Sequence, residues 1–317
     1  MKILVTGSAG FIGYHLVENL LNNIKNTVIG VDSINGYYST KIKKLRIKIL
    51  KRKKNFIFKK INLENKKKLE ITIKKFLPNA VFHIAGQPGV LYSFKNPLSY
   101  KKNNTIATEN LTLICKKYKI KKFIFASSSS VYGDQKIFPI KENFKKNPKN
   151  YYAKTKLKCE EIIKKKFINS ETEYMIYRFF TVFGPLGRPD MFIHKFLNSI
   201  KKNKIILLHN NGMNYRDFTY VDDLIKILTL TMKKIPTDKI LNICRSKPIK
   251  TTHLVNLINK IYGNNKNKII NTGFVKGEML KTHGSNSLLK KNFTNLKFTD
   301  LAFGIKKTVA TYKKFGY

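Results

Sequence analysis

Short apolar runs alternate with longer amphipathic segments along the first 180 residues of this chain. The runs 2–5, 27–31, 56–61, 80–84 and 122–126 each have the length of a buried strand, and helix-like periodicity separates them. Strands that alternate with helices form a parallel sheet with helices on both faces. The sequence therefore predicts an α/β fold with a doubly wound parallel sheet. The length of 317 residues leaves room for a second, smaller unit.

A glycine-rich turn follows the first predicted strand and opens the first predicted helix. Its residues Gly7, Gly10, Phe11, Ile12 and Gly13 form the loop that we expect to bind a cofactor. Glycines let the backbone approach a pyrophosphate closely, and the positive end of the following helix favours its charge. The pattern predicts a dinucleotide site.

The ends of the next three predicted strands carry further candidates for this site. Asp32 lies 19 residues after the last glycine of the loop. A carboxylate there accepts from a ribose diol and repels a 2′-phosphate, so NAD is favoured over NADP. Asn62 and Leu63 either contact the adenine or belong to an ordinary loop. Ala85 and Gln87 follow the fourth strand, at the sheet edge where ligands of such folds bind.

A tyrosine and a lysine four residues apart suggest acid–base chemistry. On a helix Tyr152 and Lys156 share one face, so the ammonium can stabilise a phenolate. Ser128, Ser129 and Ser130 follow the fifth predicted strand and converge on the same edge. Taken singly, these patterns fit an exposed tyrosine and loop serines. Together with a dinucleotide site, they predict hydroxyl groups that hold a substrate alcohol and shape its proton transfer.

The composition excludes several other classes of function. The net charge is +45, but only six of the 63 basic residues are Arg, and the lysines are spread along the whole chain. This pattern indicates a compositional bias, and we expect no dedicated nucleic-acid partner. No apolar run reaches 18 residues, so no membrane span is expected. Three widely spaced cysteines predict neither disulfides nor a metal site, and we expect a cytoplasmic protein.

Several motifs together resemble a known family. The glycine loop, the serine, tyrosine and lysine set and the segment 178–185 are similar to the extended short-chain dehydrogenases/reductases that act as NAD-dependent epimerases and dehydratases on nucleotide sugars. Within that family, segments 87–93, 187–191 and 215–223 most resemble the UDP-glucuronate 4-epimerases. The resemblance implies a Rossmann fold with a smaller C-terminal substrate-binding lobe, bound NAD and no metal.

The resemblance also implies roles for individual residues around the cofactor. Tyr152 would be the general base, and Lys156 its electrostatic partner and a ligand of the nicotinamide ribose. Ser128 would bond the substrate hydroxyl. Asn104 is similar to an asparagine that steadies the helix on the cofactor side.

A site for a UDP-sugar substrate is implied in the same way. Arg216 is similar to the arginine that holds the diphosphate, and Glu278 stands where the family usually has Asp near the uridine ribose. Arg188, Thr181 and Ser129 resemble the group that receives the sugar carboxylate.

The implied organisation has two parts. Residues 1–180 would bind NAD, with 215–235 returning to that unit, and residues 181–317 would mainly form the nucleotide-sugar-binding lobe. A homodimer would pack through the helices near 97–119 and 151–167.

The implied reaction is 4-epimerisation of UDP-glucuronate to UDP-galacturonate through a transient 4-keto sugar. A 4-epimerase of neutral UDP-sugars, either UDP-glucose or UDP-N-acetylglucosamine, stays open because Leu91 stands where these epimerases often have Arg. A dehydratase is disfavoured because Ser129 and Ser130 occupy positions where those enzymes carry acidic residues.

Overall fold

A computed structural model describes residues 1–263, 269–273 and 279–316. The strands in chain order are β1 (Lys2–Thr6), β2 (Thr27–Asp32), β3 (Phe56–Lys60), β4 (Ala80–His83), β5 (Lys122–Ser128), β6 (Glu173–Phe179), β7 (Thr181–Phe183), β8 (Ile206–Leu208), β9 (Tyr215–Tyr220), β10 (Ile240–Ile243), β11 (Pro248–Lys250) and β12 (Ile269–Asn271).

The helices in chain order are α1 (Phe11–Leu20), α2 (Thr40–Leu50), α3 (Lys66–Phe76), α4 (Val90–Lys95), α5 (Pro97–Tyr100), α6 (Ala107–Lys117), α7 (Tyr151–Phe167), α8 (Phe192–Lys201), α9 (Val221–Lys233), α10 (Thr251–Tyr262), α11 (Ser287–Asn292) and α12 (Leu301–Phe315). A π-helical stretch, Lys101–Ile106, joins α5 to α6.

Seven strands form one parallel sheet in the order β10-β6-β5-β4-β1-β2-β3. The chain runs outward from β1 to β3, and then from β4 in the opposite direction. The reversal lies between β1 and β4, where a crevice opens at the carboxyl ends of the strands. The predicted doubly wound α/β fold is confirmed.

Helices cover both faces of this sheet. Adjacent residues of β1 belong to the hydrophobic cores on opposite faces of the sheet. Leu4 lies in the core with residues of α6 and α7, whereas Val5 lies in the core with residues of α1 and α9. All four residues of β4 are buried. Because both faces are covered, these strands are continuous apolar runs, which is why they were recognisable in the sequence.

The C-terminal part adds two small sheets, one of β11, β9 and β7 and one of β12 and β8. Strand β10 lies within the stretch 181–317 that was expected to form mainly the lobe, but it pairs with β6 at the edge of the main sheet. Helix α9 packs against α1 in the main body, whereas β9 pairs with β7 and β11 in a small sheet. The boundary near residue 180 stays a prediction.

Among the helices in the described parts of the chain, none is both long and apolar enough to span a bilayer.

Candidate active site

A cavity of about 410 Å³ lies at the carboxyl edge of the main sheet. Most of the residues predicted for cofactor and substrate line it: Gly7, Gly10, Phe11, Ile12, Gly13, Asp32, Asn62, Leu63, Ala85, Ser128, Ser129, Ser130, Tyr152, Lys156, Thr181, Arg188 and Arg216. The structure therefore brings residues from distant parts of the chain into one site. Glu278 lies outside the described residues.

The glycine loop has the shape of a dinucleotide cradle. Gly7 has a φ of +71°, and its N–H donates to the carbonyl of Val31 at 2.7 Å. A Cβ atom on Gly13 would lie 2.1 Å from the carbonyl oxygen of Gly7, so only glycine allows this close turn. The turn leads directly into the N-terminus of α1, which favours an anion. The residues present thus fit the pyrophosphate of NAD.

Asp32 is held at the end of β2 by two backbone donors. Its Oδ2 accepts from the N–H of Ala9 at 3.1 Å, and its Oδ1 accepts from the N–H of Ile34 at 2.7 Å. Burial raises the pKa of Asp32, although these bonds and the nearby Lys43 oppose the shift. The carboxylate has a fixed position at the cavity wall, which suits recognition of a ribose diol.

Helix α2 contributes two buried cations to this region. Lys43 and Arg46 are buried on the same helix as the apolar Ile42, Ile47 and Leu50. Lys43 lines the cavity and donates to the carbonyl of Asn35 at 2.8 Å. Periodicity gave no signal for this lysine, because it looked the same as its many exposed neighbours.

Arg46 is completely buried and joins two loops. It donates to the carbonyls of Ala9 in the glycine loop and of Leu186 and Gly187 in the loop after β7, at 2.8, 2.6 and 3.1 Å. The arginine therefore fixes the cofactor loop relative to the loop that carries Arg188.

Tyr152, Lys156 and Ser128 line the same cavity, as their positions in the sequence predicted. The side chain of Asn150 caps α7 by accepting from the N–H of Ala153 at 2.9 Å. Lys156 is 6% exposed and donates to the carbonyl of Ala126 at 2.8 Å. The catalytic roles of these three residues stay predictions, which rest on the shared position of their side chains at the cavity wall.

Asn104 and Gln87 are placed behind the cavity wall. Asn104 lies in the π-helical stretch, where its Oδ1 accepts from the N–H of Gln87 at 2.6 Å and its Nδ2 donates to Oγ1 of Thr155 at 2.9 Å. Asn104 thus ties the loop after β4 to α7. Gln87 lines an adjoining polar cavity of about 710 Å³. Direct cofactor contact by these two residues stays a prediction.

Arg188 is engaged by an acidic residue that the sequence analysis quoted but did not assign. Its Nε and Nη2 donate to the two carboxylate oxygens of Asp190, at 3.1 and 2.5 Å. The hydroxyl of Tyr37 donates to the same carboxylate at 3.2 Å. Burial raises the pKa of Asp190, but Arg188 outweighs it and holds the pKa below its usual range. One edge of the guanidinium therefore already has a carboxylate partner.

Arg216 lies on β9 beside residues 279–282 and lines the cavity with them. Its Nη1 donates to the carbonyl of Leu280 at 3.2 Å. The neighbouring Met279 and Thr282 also line the cavity and were not among the predicted site residues.

The comparisons with known proteins agree with this geometry. Residues 3–244 match the profile of the NAD dependent epimerase/dehydratase family. The chain belongs to this family. Membership confirms both the recognition from motifs and the expected NAD cofactor.

Similar proteins cover nearly the whole chain. UDP-glucuronate 4-epimerase from Thermodesulfobacterium geofontis is 34% identical over 309 residues, which is 96% of this chain and 94% of that protein. The crystal structure of UDP-glucuronic acid 4-epimerase from Bacillus cereus in complex with UDP-glucuronic acid and NAD has a TM-score of 0.93 at 30% identity, covering 99% of each chain. UDP-glucose 4-epimerase from Thermotoga maritima, with UDP-glucose, has a TM-score of 0.91 at 28% identity over 100% of both chains.

Proposed function

We propose that this protein catalyses the NAD-dependent 4-epimerisation of UDP-glucuronate to UDP-galacturonate. The observation that carries the proposal is the convergence of Ser128, Tyr152 and Lys156 on the cavity that the glycine loop opens. The similarity to UDP-glucuronic acid 4-epimerase from Bacillus cereus supports the choice of substrate.

In this proposal the chain supplies proton transfer, and NAD, when bound, supplies an acceptor and donor for the hydride of C4. The Tyr152 phenolate takes the proton of the C4 hydroxyl while that carbon is oxidised to a ketone. Lys156 lies one helical turn away and stabilises the phenolate charge. The keto sugar turns within the cavity and is reduced on its other face, and Tyr152 returns the proton to the oxygen.

The sugar carboxylate would be received by Ser129, Thr181 and Arg188, which all line the cavity. Asp190 occupies the Nε edge of the Arg188 guanidinium and fixes its orientation. We expect the substrate carboxylate to approach the other edge, where the planar fork offers parallel donors.

A neutral UDP-sugar is the second candidate, and the Arg188 pair is the observation that favours it. Because Asp190 balances the charge of Arg188, the site carries less positive charge than the sequence indicated. Leu91 carries no evidence for either substrate, because it is 50% exposed on α4 and is not among the residues that line the cavity.

The test compares substrates rather than variants alone. Wild type and Arg188→Leu are assayed on UDP-glucuronate and on UDP-glucose, with proton NMR of the sugar identifying each product. Removing one partner of a desolvated charge pair costs about 2 to 5 kcal/mol, which is roughly 30-fold to several thousand-fold in kcat/KM. We expect this loss on UDP-glucuronate and a much smaller loss on UDP-glucose.

The control is Arg52→Leu, which removes an exposed arginine outside the cavity. It should leave both substrates unaffected. Equal losses of Arg188→Leu on the two sugars, or a wild type that prefers UDP-glucose, would assign the function to the neutral-sugar alternative.

We also propose that the protein is a homodimer that packs through α6 and α7. Leu113 projects from α6 and is 40% exposed on a helix surface that otherwise carries charged side chains. Burial of such side chains against a second copy would remove apolar surface from water.

We place the proposed reaction in the cytoplasm. Cys115, Cys159 and Cys244 are buried free thiols, which suits a reducing compartment. Fractionation of source cells, with recovery of the protein in the cytoplasmic fraction, is the direct check.

A further inference from the structure

A buried ion pair lies beneath the active site, where the proposed mechanism does not use it. Arg178 on β6 and Glu160 on α7 are 0% and 1% exposed, and their Nη2 and Oε2 atoms are 2.7 Å apart. A second bond joins Nε of Arg178 to Oε1 of Glu160 at 3.0 Å. Desolvation offsets much of the attraction in such a pair, so stability alone is a weak reason for its presence.

The pair is connected to the strand that carries the catalytic serine. Oε1 of Glu160 accepts from the hydroxyl of Ser127 at 2.5 Å. Lys156, one turn earlier on α7, donates to the carbonyl of Ala126 at 2.8 Å. Two consecutive residues of β5 are thus held by two residues of α7 that lie one turn apart.

Both contacts adjoin a proposed catalytic residue. On β5 the residue after Ser127 is Ser128, and on α7 Tyr152 lies one helical turn before Lys156. The two contacts therefore hold the helix that carries the general base against the strand that carries the substrate hydroxyl ligand.

Arg178 extends this arrangement to the segment after the serines. It is the register partner of Ser127 in the parallel pair β5–β6. Its Nη1 donates to the hydroxyl of Tyr132 at 2.9 Å and to the carbonyl of Glu142 at 3.0 Å. The Tyr132 hydroxyl in turn donates to Oδ1 of Asn242 on β10 at 2.7 Å. These bonds hold Arg178 in place, and Arg178 in turn holds the carboxylate of Glu160.

We propose that Glu160, held by Arg178, is a positioning residue that aligns Tyr152 with Ser128 through its bond to Ser127. The inference rests on the proposed roles of Tyr152 and Ser128. Glu160 acts through the position of α7 on β5 and not by contact with the substrate.

The sharpest test removes the Ser127–Glu160 bond and leaves the ion pair intact. Ser127→Ala should lower kcat about 10-fold to 100-fold, because a misplacement near 1 Å costs about that much in an aligned reaction. KM and bound NAD should stay within about twofold, because we expect the residues that hold UDP and NAD to be unaffected. Ser127→Thr, which keeps the donor, should restore most of kcat.

Thr231→Ala is the matched control. Its hydroxyl is buried on α9 and bonds to Tyr177, the neighbour of Arg178 on β6. The variant loses a buried hydroxyl contact to the same strand, so it should lose thermal stability like Ser127→Ala but keep the wild-type kcat. If Ser127→Ala does not fold, Ser127→Cys keeps the side-chain volume while weakening the donor and serves in its place.

Amide hydrogen exchange gives a readout that does not need turnover. The first turns of α7, residues 151–157, should exchange faster in Ser127→Ala than in wild type, with α10 unchanged. If wild type epimerises no UDP-sugar, the proposed function fails, and exchange still tests the positioning. Wild-type kcat together with wild-type exchange in Ser127→Ala would overturn the inference.

Discussion

Lys156 shows how a single side chain can be held in place for its proposed role before a substrate arrives. Its ammonium bonds to the carbonyl of Ala126 and lies 4.8 Å from the centre of the Phe125 ring. Its position is therefore set by the strand and not by the ligand. A charge that needs no rearrangement during the reaction stabilises a developing negative charge more effectively than a mobile one.

Replacement of the tyrosine tests the chemistry at this scale. Tyr152→Phe keeps the ring that packs near Tyr100 but removes the group that takes the proton. We expect bound NAD near the wild-type level and kcat at least about 100-fold lower, because general-base steps contribute about 10² to 10⁴. Tyr151→Phe on the same helix is the control and should stay active. An activity of Tyr152→Phe within about threefold of wild type would refute the assignment.

At the scale of elements, the site depends on how helices meet the ends of strands. Helix α6 continues from a π-helical stretch, and the stretch places Asn104 between the loop after β4 and Thr155 of α7. Such wide turns occur within helices at functional sites. One asparagine thus couples the loop after β4 to α7, the helix that carries Tyr152 and Lys156.

The proposed dimer interface lies on the outer surfaces of α6 and α7. Leu113→Glu should convert a dimer to a monomer, because it would bury a carboxylate in the proposed interface. Ile71→Glu makes the same change at a side chain that is 59% exposed on α3, and it should leave the dimer intact. Light scattering coupled to size-exclusion chromatography measures both. A monomeric wild type, or a dimeric Leu113→Glu, would contradict the proposal.

At the scale of the whole molecule, buried histidines make stability depend on pH. His83 has no exposed surface and lies between the hydroxyls of Thr6 and Thr108, at 2.8 and 3.0 Å. Burial, with a smaller effect of Lys156, lowers the pKa of His83 to about 3. Burial likewise lowers the pKa of His15 to about 4.

The sign of the pH effect follows from these directions. Below a pH of about 6.5 the unfolded chain binds protons at these histidines and the folded protein does not. The free energy of unfolding therefore decreases as the pH is lowered. For His83 alone the loss approaches roughly 4 kcal/mol as the pH nears its folded pKa. Asp217 opposes this in part, because burial raises its pKa to about 6 and its protonation favours the folded state.

Denaturant unfolding between about pH 7.5 and pH 4.5 measures this dependence. We expect stability to decrease toward acid and the slope to be smaller in His83→Gln. His253→Gln, at an exposed position, should retain the wild-type slope. A slope unchanged in His83→Gln would exclude His83 as the main source.

Much of the fold and part of the site could be predicted from neighbouring residues in the chain. The strands of the parallel sheet were visible because burial on both faces makes them continuous apolar runs. The glycine loop and the Tyr152–Lys156 pair were visible because a turn into a helix and one helical turn have fixed spacings. These features depend on local geometry, which the order of residues specifies directly.

The partners of the charged side chains were decided only by tertiary structure. Arg46 bonds to a carbonyl 140 residues away, and Arg178 and Glu160 meet across a strand and a helix. In a chain rich in lysine, the buried Lys43 has the same local pattern as its exposed neighbours. Burial and pairing depend on which elements pack together, and long-range packing sets the position and free energy of a charge far more than its neighbours in the sequence do.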